Sequence, residues 1–424
     1  MYRLTNLTRV AAVAAVLAAT ACSSTRDVLG VNPPATGEIF TSYVAIGNSI
    51  SAGFQSGGIN DSTQRQSFAK LLADQMQTQY HYAALAMPGC PSPVVNFQTQ
   101  AKVLTGLPAG VTTPPPCALR IPSSVTDILN NVAVPGAVSF DPIATSSPAS
   151  NALTTFILGG RSQVSRALMA HPTFATIWIG NNDVLGAGGS GILVATPALG
   201  QLGVLSTLAS FTLSYDAMIK QLTDSAPGIK GVLIGIVQVA GIPLLSTGDT
   251  LFKAPLVERQ TMNAIAGTTV TVNADCNGSA ALVDVPQLLA AMRRSVTNPA
   301  DPTGHPPFIS CTKNVPAAPI GDIFVLDPTE QAQLAAIITS YNNYISAKAT
   351  AINFAYVDPN PILAANRATN AIPRFPKFSS TTATFGTLIS LDGAHPAAPA
   401  HKLIANALIT AINAKYLTTL AQVP

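Results

Sequence analysis

Charged side chains are scarce in this chain of 424 residues: 22 are Lys or Arg and 19 are Asp or Glu, which leaves a formal net charge of +3. So small an excess of positive charge gives no basis for binding nucleic acid or an acidic polymer. The sequence also lacks the C-x-x-C spacing and the H-E-x-x-H motif of common zinc sites. We therefore predict neither a nucleic-acid partner nor a bound metal ion.

Cysteine is scarce as well, with five residues in the chain. Apart from Cys22 there are four, an even number, and the chain is predicted below to leave the reducing cytosol. Any four cysteines allow three pairings. Because these four cluster as an early and a late pair, we predict the disulfides Cys90–Cys117 and Cys276–Cys311.

The first residues have the features of a secretory signal. Two arginines precede an apolar run that ends at Ala21 and is too short to span a bilayer. The run closes in small residues next to Cys22, which resembles a bacterial lipoprotein signal whose cysteine takes up lipid. We predict a signal peptide over 1–21, a lipidated tether over 22–40, and attachment to the cell envelope, with the outer membrane preferred. The alternative is an ordinary secreted protein in which Cys22 has no such role.

Apolar runs and helical patterns alternate through the rest of the chain. Five continuous apolar runs predict strands that are buried on both faces of a parallel sheet. These runs are Tyr43–Ile46, Tyr82–Ala86, Phe174–Ile179, Val232–Val237 and Phe354–Val357. Apolar residues at helical spacing predict helices within 68–76, 334–345 and 404–416, and Asp327-Pro-Thr-Glu330 has the sequence of a helix start.

This alternation predicts one α/β domain over 41–420, built on a doubly wound, flavodoxin-like parallel sheet. Functional residues are then expected at the carboxyl ends of the strands. Two long stretches interrupt the pattern, at about 90–150 and 240–325. We predict them to be insertions that act as lids or binding surfaces, or as surface loops pinned by disulfides.

Three short blocks carry residues suited to acyl transfer. Ser49 follows the first predicted strand, Asn182 lies in Gly180-Asn-Asn-Asp183 after the third, and Asp392 precedes His395 by three residues. A serine hydroxyl needs a base to become a nucleophile, and an imidazole needs a carboxylate to orient it. Taken singly, each block is an ordinary turn or helix start. Together they supply the nucleophile, base, orienting group and oxyanion donor of a hydrolase.

With the Pro-Gly turn at Gly89, these blocks occur in the order found in the SGNH/GDSL family of esterases and lipases, which the chain resembles from about Tyr43 to Tyr416. The resemblance implies the three-layer α/β/α fold of SGNH hydrolases. It implies that Ser49 is the nucleophile, His395 the base and Asp392 the group that orients it.

The resemblance also implies three oxyanion donors: the backbone N–H of Ser49, the backbone N–H of Gly89 and the side chain of Asn182. Asn181 is a rival for the last role, and the family's G-x-N-D spacing selects Asn182. The family has Gly-Asp-Ser-Leu where this chain has Asn48 and Ile50. The loss of a charge at Asn48 bears on catalytic tuning more than on the fold.

The function implied is that of a serine hydrolase, a GDSL-type esterase or lipase that cleaves lipid or other acyl esters through an acyl-enzyme without a cofactor. The commoner α/β-hydrolase route is disfavoured because the chain has no G-x-S-x-G motif. Two alternatives are a carbohydrate O-acetyl esterase and a non-catalytic surface lipoprotein that binds glycan or lipid. The expected partners are the ester substrate and, through the lipid anchor, the membrane.

The remaining histidines, His81, His171, His305 and His401, are predicted to be structural.

Overall fold

A computed structural model describes residues 38–105, 128–144, 152–193, 195–196, 205–312 and 324–424. Its central element is a parallel sheet of four strands in the order β1-β4-β7-β13. All residues of β1 and β4 are buried, as expected for a sheet covered on both faces. The strands are β1 (Tyr43–Gly47), β2 (Val94–Asn96), β3 (Ala101–Lys102), β4 (Phe174–Trp178), β5 (Ala195–Thr196), β6 (Leu205–Ser206), β7 (Lys230–Ile234), β8 (Leu245–Thr247), β9 (Thr271–Val272), β10 (Leu282–Asp284), β11 (Phe308–Ile309), β12 (Val325–Leu326) and β13 (Ala355–Val357).

Helices cover both faces of this sheet and complete three layers. Val44 and Ile46 belong to one apolar cluster and Tyr43 and Ala45 to the other, because successive strand residues point to opposite faces. The helices are α1 (Ser49–Ala52), α2 (Asp61–Arg65), α3 (Phe68–Met76), α4 (Ala152–Leu158), α5 (Gln163–Leu168), α6 (Asn182–Ser190), α7 (Leu208–Ser225), α8 (Gly248–Phe252), α9 (Leu256–Ala266), α10 (Val285–Thr297), α11 (Pro328–Ala351), α12 (Asn360–Ala368) and α13 (Ala398–Tyr416). The α/β/α fold predicted from the sequence is confirmed.

The two faces are covered by different helices. On one face, α3 and α13 pack around Phe68, Trp178 and Leu408. On the other, α7 and α11 bring the rings of Phe211 and Tyr341 into a stack with centroids 4.1 Å apart. The predicted start of α11 is confirmed, since Asp327 and Glu330 cap the helix reciprocally.

The strand predicted over Tyr82–Ala86 is wrong. Instead of a strand, this segment has isolated bridges at Tyr82, which pairs with Asn131, and at Leu85. Its backbone is bonded to α2 instead: Leu85 N–H donates to Gln64 Oε1, and Leu85 C=O accepts from Asp61 N–H. The free edge of β1 is taken by the segment around Asn131, through Ala45 and Val132. An apolar run alone does not distinguish these environments.

The second predicted insertion, 240–325, has structure of its own. Strands β8, β10 and β12 form a small antiparallel sheet, and α9 and α10 pack against each other beside it. Cys276 and Cys311 are joined by a disulfide, as predicted, with Cα atoms 5.0 Å apart. The insertion shares its apolar core with Phe378 and Phe385 from the segment before His395.

Of the first predicted insertion, 90–150, the structure describes residues 90–105 and 128–144. Cys90 is disulfide-bonded, and its predicted partner Cys117 lies outside the described residues, as do Cys22, the signal peptide over 1–21 and most of the tether. Among the helices that are described, none combines the length and apolarity needed to cross a membrane.

Candidate active site

Ser49 lies at the carboxyl end of β1, where the chain turns into α1. Asn48 is the N-cap of this short helix, and its Oδ1 accepts a hydrogen bond from Ile50 N–H at 3.1 Å. Gly47 fits the turn because a Cβ there would lie 2.5 Å from Ser51 Oγ and 2.7 Å from Trp178 C=O. Gly47 N–H donates to Gln163 Oε1 at 2.9 Å. The turn that presents Ser49 is thus held by the Asn48 cap, by close packing at Gly47 and by the hydrogen bond from Gly47 to Gln163.

A chain of hydrogen bonds joins Ser49 to a histidine and a carboxylate. Ser49 Oγ lies 2.8 Å from His395 Nε2, and His395 Nδ1 lies 2.9 Å from Asp392 Oδ2. With Nδ1–H donating to the carboxylate, Nε2 is left as the acceptor for the serine hydroxyl. The structure brings these three predicted residues together within hydrogen-bonding distance.

The carboxylate of Asp392 is held by backbone groups as well as by the imidazole. Oδ1 accepts from Ala394 N–H at 3.0 Å and from His395 N–H at 2.9 Å, while Oδ2 also accepts from Gly57 N–H at 2.8 Å. Burial alone would raise the pKa of this carboxyl. The adjacent His395 and these hydrogen bonds outweigh it and lower the pKa of Asp392 well below its ordinary value. Asp392 is therefore ionised at neutral pH.

The segment around Gly57 is fastened to the histidine loop by two further bonds. Ser56 N–H donates to Ser390 Oγ at 2.8 Å, and Leu391 N–H donates to Ser56 Oγ at 3.1 Å. The ring of Phe54 packs against the imidazole of His395 with centroids 4.9 Å apart. None of these contacts was predicted from the sequence, because each joins residues far apart in the chain that carry no shared local motif.

Ser49 and His395 open onto a small cavity of about 50 Å³, called here the Ser49 cavity. Asn181 and Asn182 line it on one side, and apolar residues that include Leu185 complete its wall. This volume is enough for a few water molecules or a small acyl group.

The two asparagines of the cavity make different contacts. Asn182 begins α6, and its Nδ2 donates to Ala137 C=O at 2.9 Å, which leaves its second N–H for another acceptor. Asn181 Oδ1 accepts from Val237 N–H at 3.0 Å, while its buried Nδ2 has no partner among the described residues. Both therefore have a donor to spare, and the geometry does not by itself choose between them.

Asp183 holds the turn that follows β4. It is fully buried and accepts from Ser139 N–H at 2.8 Å, from Ser139 Oγ at 2.6 Å and from Ser206 Oγ at 2.8 Å. Burial raises the pKa of Asp183 to about 6, against the lowering effect of these hydrogen bonds. The carboxylate thus ties the Asn182 turn to the end of the first insertion.

Gly89 has a φ of +126°, and a Cβ there would lie 2.7 Å from Ile59 C=O. Glycine is therefore required for the backbone path. Gly89 is not among the described residues that line the Ser49 cavity, so its predicted role as an oxyanion donor stays a prediction.

His401 is fully buried on α13, where its Nδ1 accepts from Phe68 N–H at 3.2 Å. Burial, with a smaller effect from His395, lowers the pKa of His401 to about 3. It is neutral and sits in the core, in keeping with its predicted structural role.

Within the described ranges, no three His, Cys, Asp or Glu side chains come together as a metal site.

Comparison with known proteins finds a family model whose matched span contains the candidate active site. A family model described as GDSL-like Lipase/Acylhydrolase matches residues 43–408, more than half of the chain, and this span includes Ser49, Asn182, Asp392 and His395. Comparison with the curated proteins gives no match.

Proposed function

The chain belongs to the GDSL-like lipase/acylhydrolase family, and on this premise we propose that it hydrolyses carboxylic esters through an acyl-enzyme formed on Ser49. Family membership supports an acyl hydrolase in the broad sense. The observation that carries the finer proposal is the hydrogen-bonded series of Ser49, His395 and Asp392, with distances of 2.8 and 2.9 Å.

The proposed reaction has two halves. Ser49 Oγ attacks the ester carbonyl carbon while His395 Nε2 accepts the hydroxyl proton. The tetrahedral intermediate then collapses, the bond to the alcohol oxygen breaks, and His395 gives its proton to the leaving alcohol. Water next attacks the acyl-enzyme with His395 again as base, which releases the carboxylic acid and restores Ser49.

Asp392 and the cavity donors have supporting roles in this proposal. The low pKa of Asp392 keeps it anionic, so it stabilises the imidazolium that forms on His395. The oxyanion is assigned to the N–H groups of Ser49 and Gly89 and to the Asn182 amide, after the family pattern. Donors fixed in place before the reaction stabilise the developing charge without reorganisation.

A second candidate, a carbohydrate O-acetyl esterase, is favoured by the small volume of the Ser49 cavity alone. A third, a non-catalytic binding lipoprotein, is prompted by Asn48, which is fully buried and stands where the family has an acid. The intact Ser49, His395 and Asp392 series argues against it, because a binding module has no need of a polarised hydroxyl.

We also propose that the protein is exported and held in the cell envelope by lipid on Cys22. The support is the sequence before Cys22, which lies outside the described residues.

The esterase proposal is tested by labelling with a fluorophosphonate probe and by hydrolysis of p-nitrophenyl acetate. Wild-type protein should be labelled and active, and Ser49→Ala should lose the label and at least roughly 10³-fold in kcat. Ser51→Ala is the matched control, since Ser51 is a buried serine of the same helix whose Oγ has no described partner. Equal turnover by wild type and Ser49→Ala would show that the proposal is wrong.

A further inference from the structure

Beside the Ser49 cavity is a second, larger recess with a volume of about 80 Å³, called here the apolar chamber. It lies between the end of β7, helix α12 and the start of α13, and its walls include Val237, Ile242, Leu363, Ile389 and Ala400. Of the sixteen described residues that line it, fifteen are apolar, and the exception is Asn366.

The one amide of the chamber already uses one of its two N–H groups. Asn366 Nδ2 donates to Ile362 C=O within its own helix at 2.8 Å. A ligand rich in hydroxyl groups would therefore lose its hydrogen bonds to water in the chamber and gain few in return, which costs free energy for each unpaired group. A hydrocarbon loses nothing comparable and gains from burial.

The chamber shares part of its wall with the Ser49 cavity. Ile50, Val237, Ile242 and Ala394 line both spaces. Ile50 directly follows the nucleophile, and Ala394 directly precedes His395. A chain attached to an ester at Ser49 therefore meets the chamber wall within a few bonds of the reacting carbon.

The chamber also reaches the surface of the protein. Leu403, on the first turns of α13, lines it while remaining 39% exposed. An apolar side chain at the rim, exposed on one side and facing an apolar interior on the other, suits a ligand that enters from water by its hydrocarbon end.

We propose that the apolar chamber binds the linear hydrocarbon chain of the ester substrate, so that the preferred substrates are lipid-like esters and not acetylated sugars. This inference rests on the proposed esterase function and specifies its substrate class. The chain can belong to the acyl group or to the alcohol; both present the same chemistry to the chamber.

The test uses two series of esters at concentrations below micelle formation. One lengthens the acyl group, from p-nitrophenyl acetate to p-nitrophenyl decanoate, and the other lengthens the alcohol in alkyl acetates. In one of the two series, kcat/KM should rise roughly four-fold for each methylene that enters the chamber, which corresponds to ~0.8 kcal/mol per group. The series that responds identifies which part of the ester the chamber binds.

Ala400→Phe fills the chamber from α13. Within the responding series, it should lower the ratio of kcat/KM for the long ester to that for the short ester by roughly ten-fold or more, as if about two methylenes were excluded. Ala414→Phe, on the exposed face of the same helix, is the matched control and should keep the wild-type ratio.

A second variant keeps the test valid if Ala400→Phe fails to fold. Leu403→Glu puts a charge at the exposed rim, where folding is little affected, and should lower the same ratio. Leu213→Glu is its control, because Leu213 is 64% exposed on α7 and lines neither space.

The inference is overturned if wild-type kcat/KM is flat in both series, or if neither Ala400→Phe nor Leu403→Glu changes the ratio. In either case Ser49-dependent hydrolysis of p-nitrophenyl acetate would persist. The result would then contradict hydrocarbon binding in the chamber and leave the esterase proposal standing.

Discussion

The carboxylate of Asp392 accepts a hydrogen bond from the backbone N–H of Gly57 at 2.8 Å, although the two residues are 335 positions apart. The same oxygen accepts from His395 Nδ1. The orienting group of the candidate triad is therefore itself oriented by the loop that follows the nucleophile.

Asp392→Asn should lower kcat for p-nitrophenyl acetate by roughly 10²–10⁴ and should change KM little. The amide can still accept from the backbone, but it no longer fixes the imidazole tautomer or stabilises its charge. Ser390→Ala serves as control, since it removes the bond from Ser56 N–H without touching the imidazole. Wild-type kcat in Asp392→Asn would contradict the role assigned to the carboxylate.

Substitution of the two asparagines of the Ser49 cavity should affect different properties, kcat for Asn182 and the free energy of unfolding for Asn181. Asn182→Ala should lower kcat by roughly 10²–10³ with little change in KM, because one oxyanion donor is lost. Asn181→Ala should instead lower the free energy of unfolding by about 1–3 kcal/mol, because Val237 N–H loses its partner. Steady-state kinetics and chemical denaturation of both variants decide the matter. A larger loss of kcat in Asn181→Ala would reverse the assignment.

Burial of His401 should make the protein less stable in mild acid. Between the ordinary pKa of 6.5 and the lowered value of about 3, the unfolded chain binds a proton at His401 that the folded protein does not. The free energy of unfolding therefore falls as the pH drops below about 6.5, by up to about 2 kcal/mol at pH 5.

His401→Asn retains an acceptor for Phe68 N–H and removes the titrating group. Its Tm should change less between pH 7 and pH 5 than that of the wild type. His81→Asn, at an exposed position, is the control and should follow the wild type. Parallel curves for wild type and His401→Asn would show that His401 does not set the acid sensitivity.

Disulfide mapping without reduction should yield Cys90 joined to Cys117 beside the Cys276–Cys311 bridge. Replacing both Cys276 and Cys311 by Ala should cost about 2–5 kcal/mol of stability. Loss of the Cys90 bridge should reduce activity more, because Cys90 directly follows Gly89, a proposed oxyanion donor. A peptide that joins Cys90 to any other cysteine would contradict the pairing.

Mass spectrometry of protein from membranes should find an N-terminus at Cys22 that carries lipid. Cys22→Ala should move the protein into soluble extracts with its activity kept, since Cys22 lies outside the domain predicted over 41–420. An unmodified N-terminus at another residue would remove the anchor from the proposal.

The sequence predicted those parts of the site that are encoded locally. Asp392 and His395 are three residues apart, so their pairing needs only one turn, and the capping box at Asp327 and Glu330 is equally local. The contact of Gly57 with Asp392 and that of Gln163 with Gly47 were not predictable, because long-range packing alone creates them.

The same distinction applies to the fold. The buried strands of the main sheet carry continuous apolar runs that a sequence pattern can detect. Strands β8, β10 and β12 have only two or three residues each, too few to show any periodicity. The segment 82–86 has the composition of a strand, but the backbone hydrogen bonds of Leu85 go to α2.

Ser49 and His395 meet although 346 positions separate them. Closing so long a loop is slow compared with forming a helix or a turn, and synthesis proceeds from the amino terminus at about 5–20 residues per second. A growing chain therefore exposes its serine well before the imidazole that activates it has been added. A chain that ends between residues 49 and 395 carries the nucleophile without its base, so hydrolytic activity can appear only after translation has passed His395.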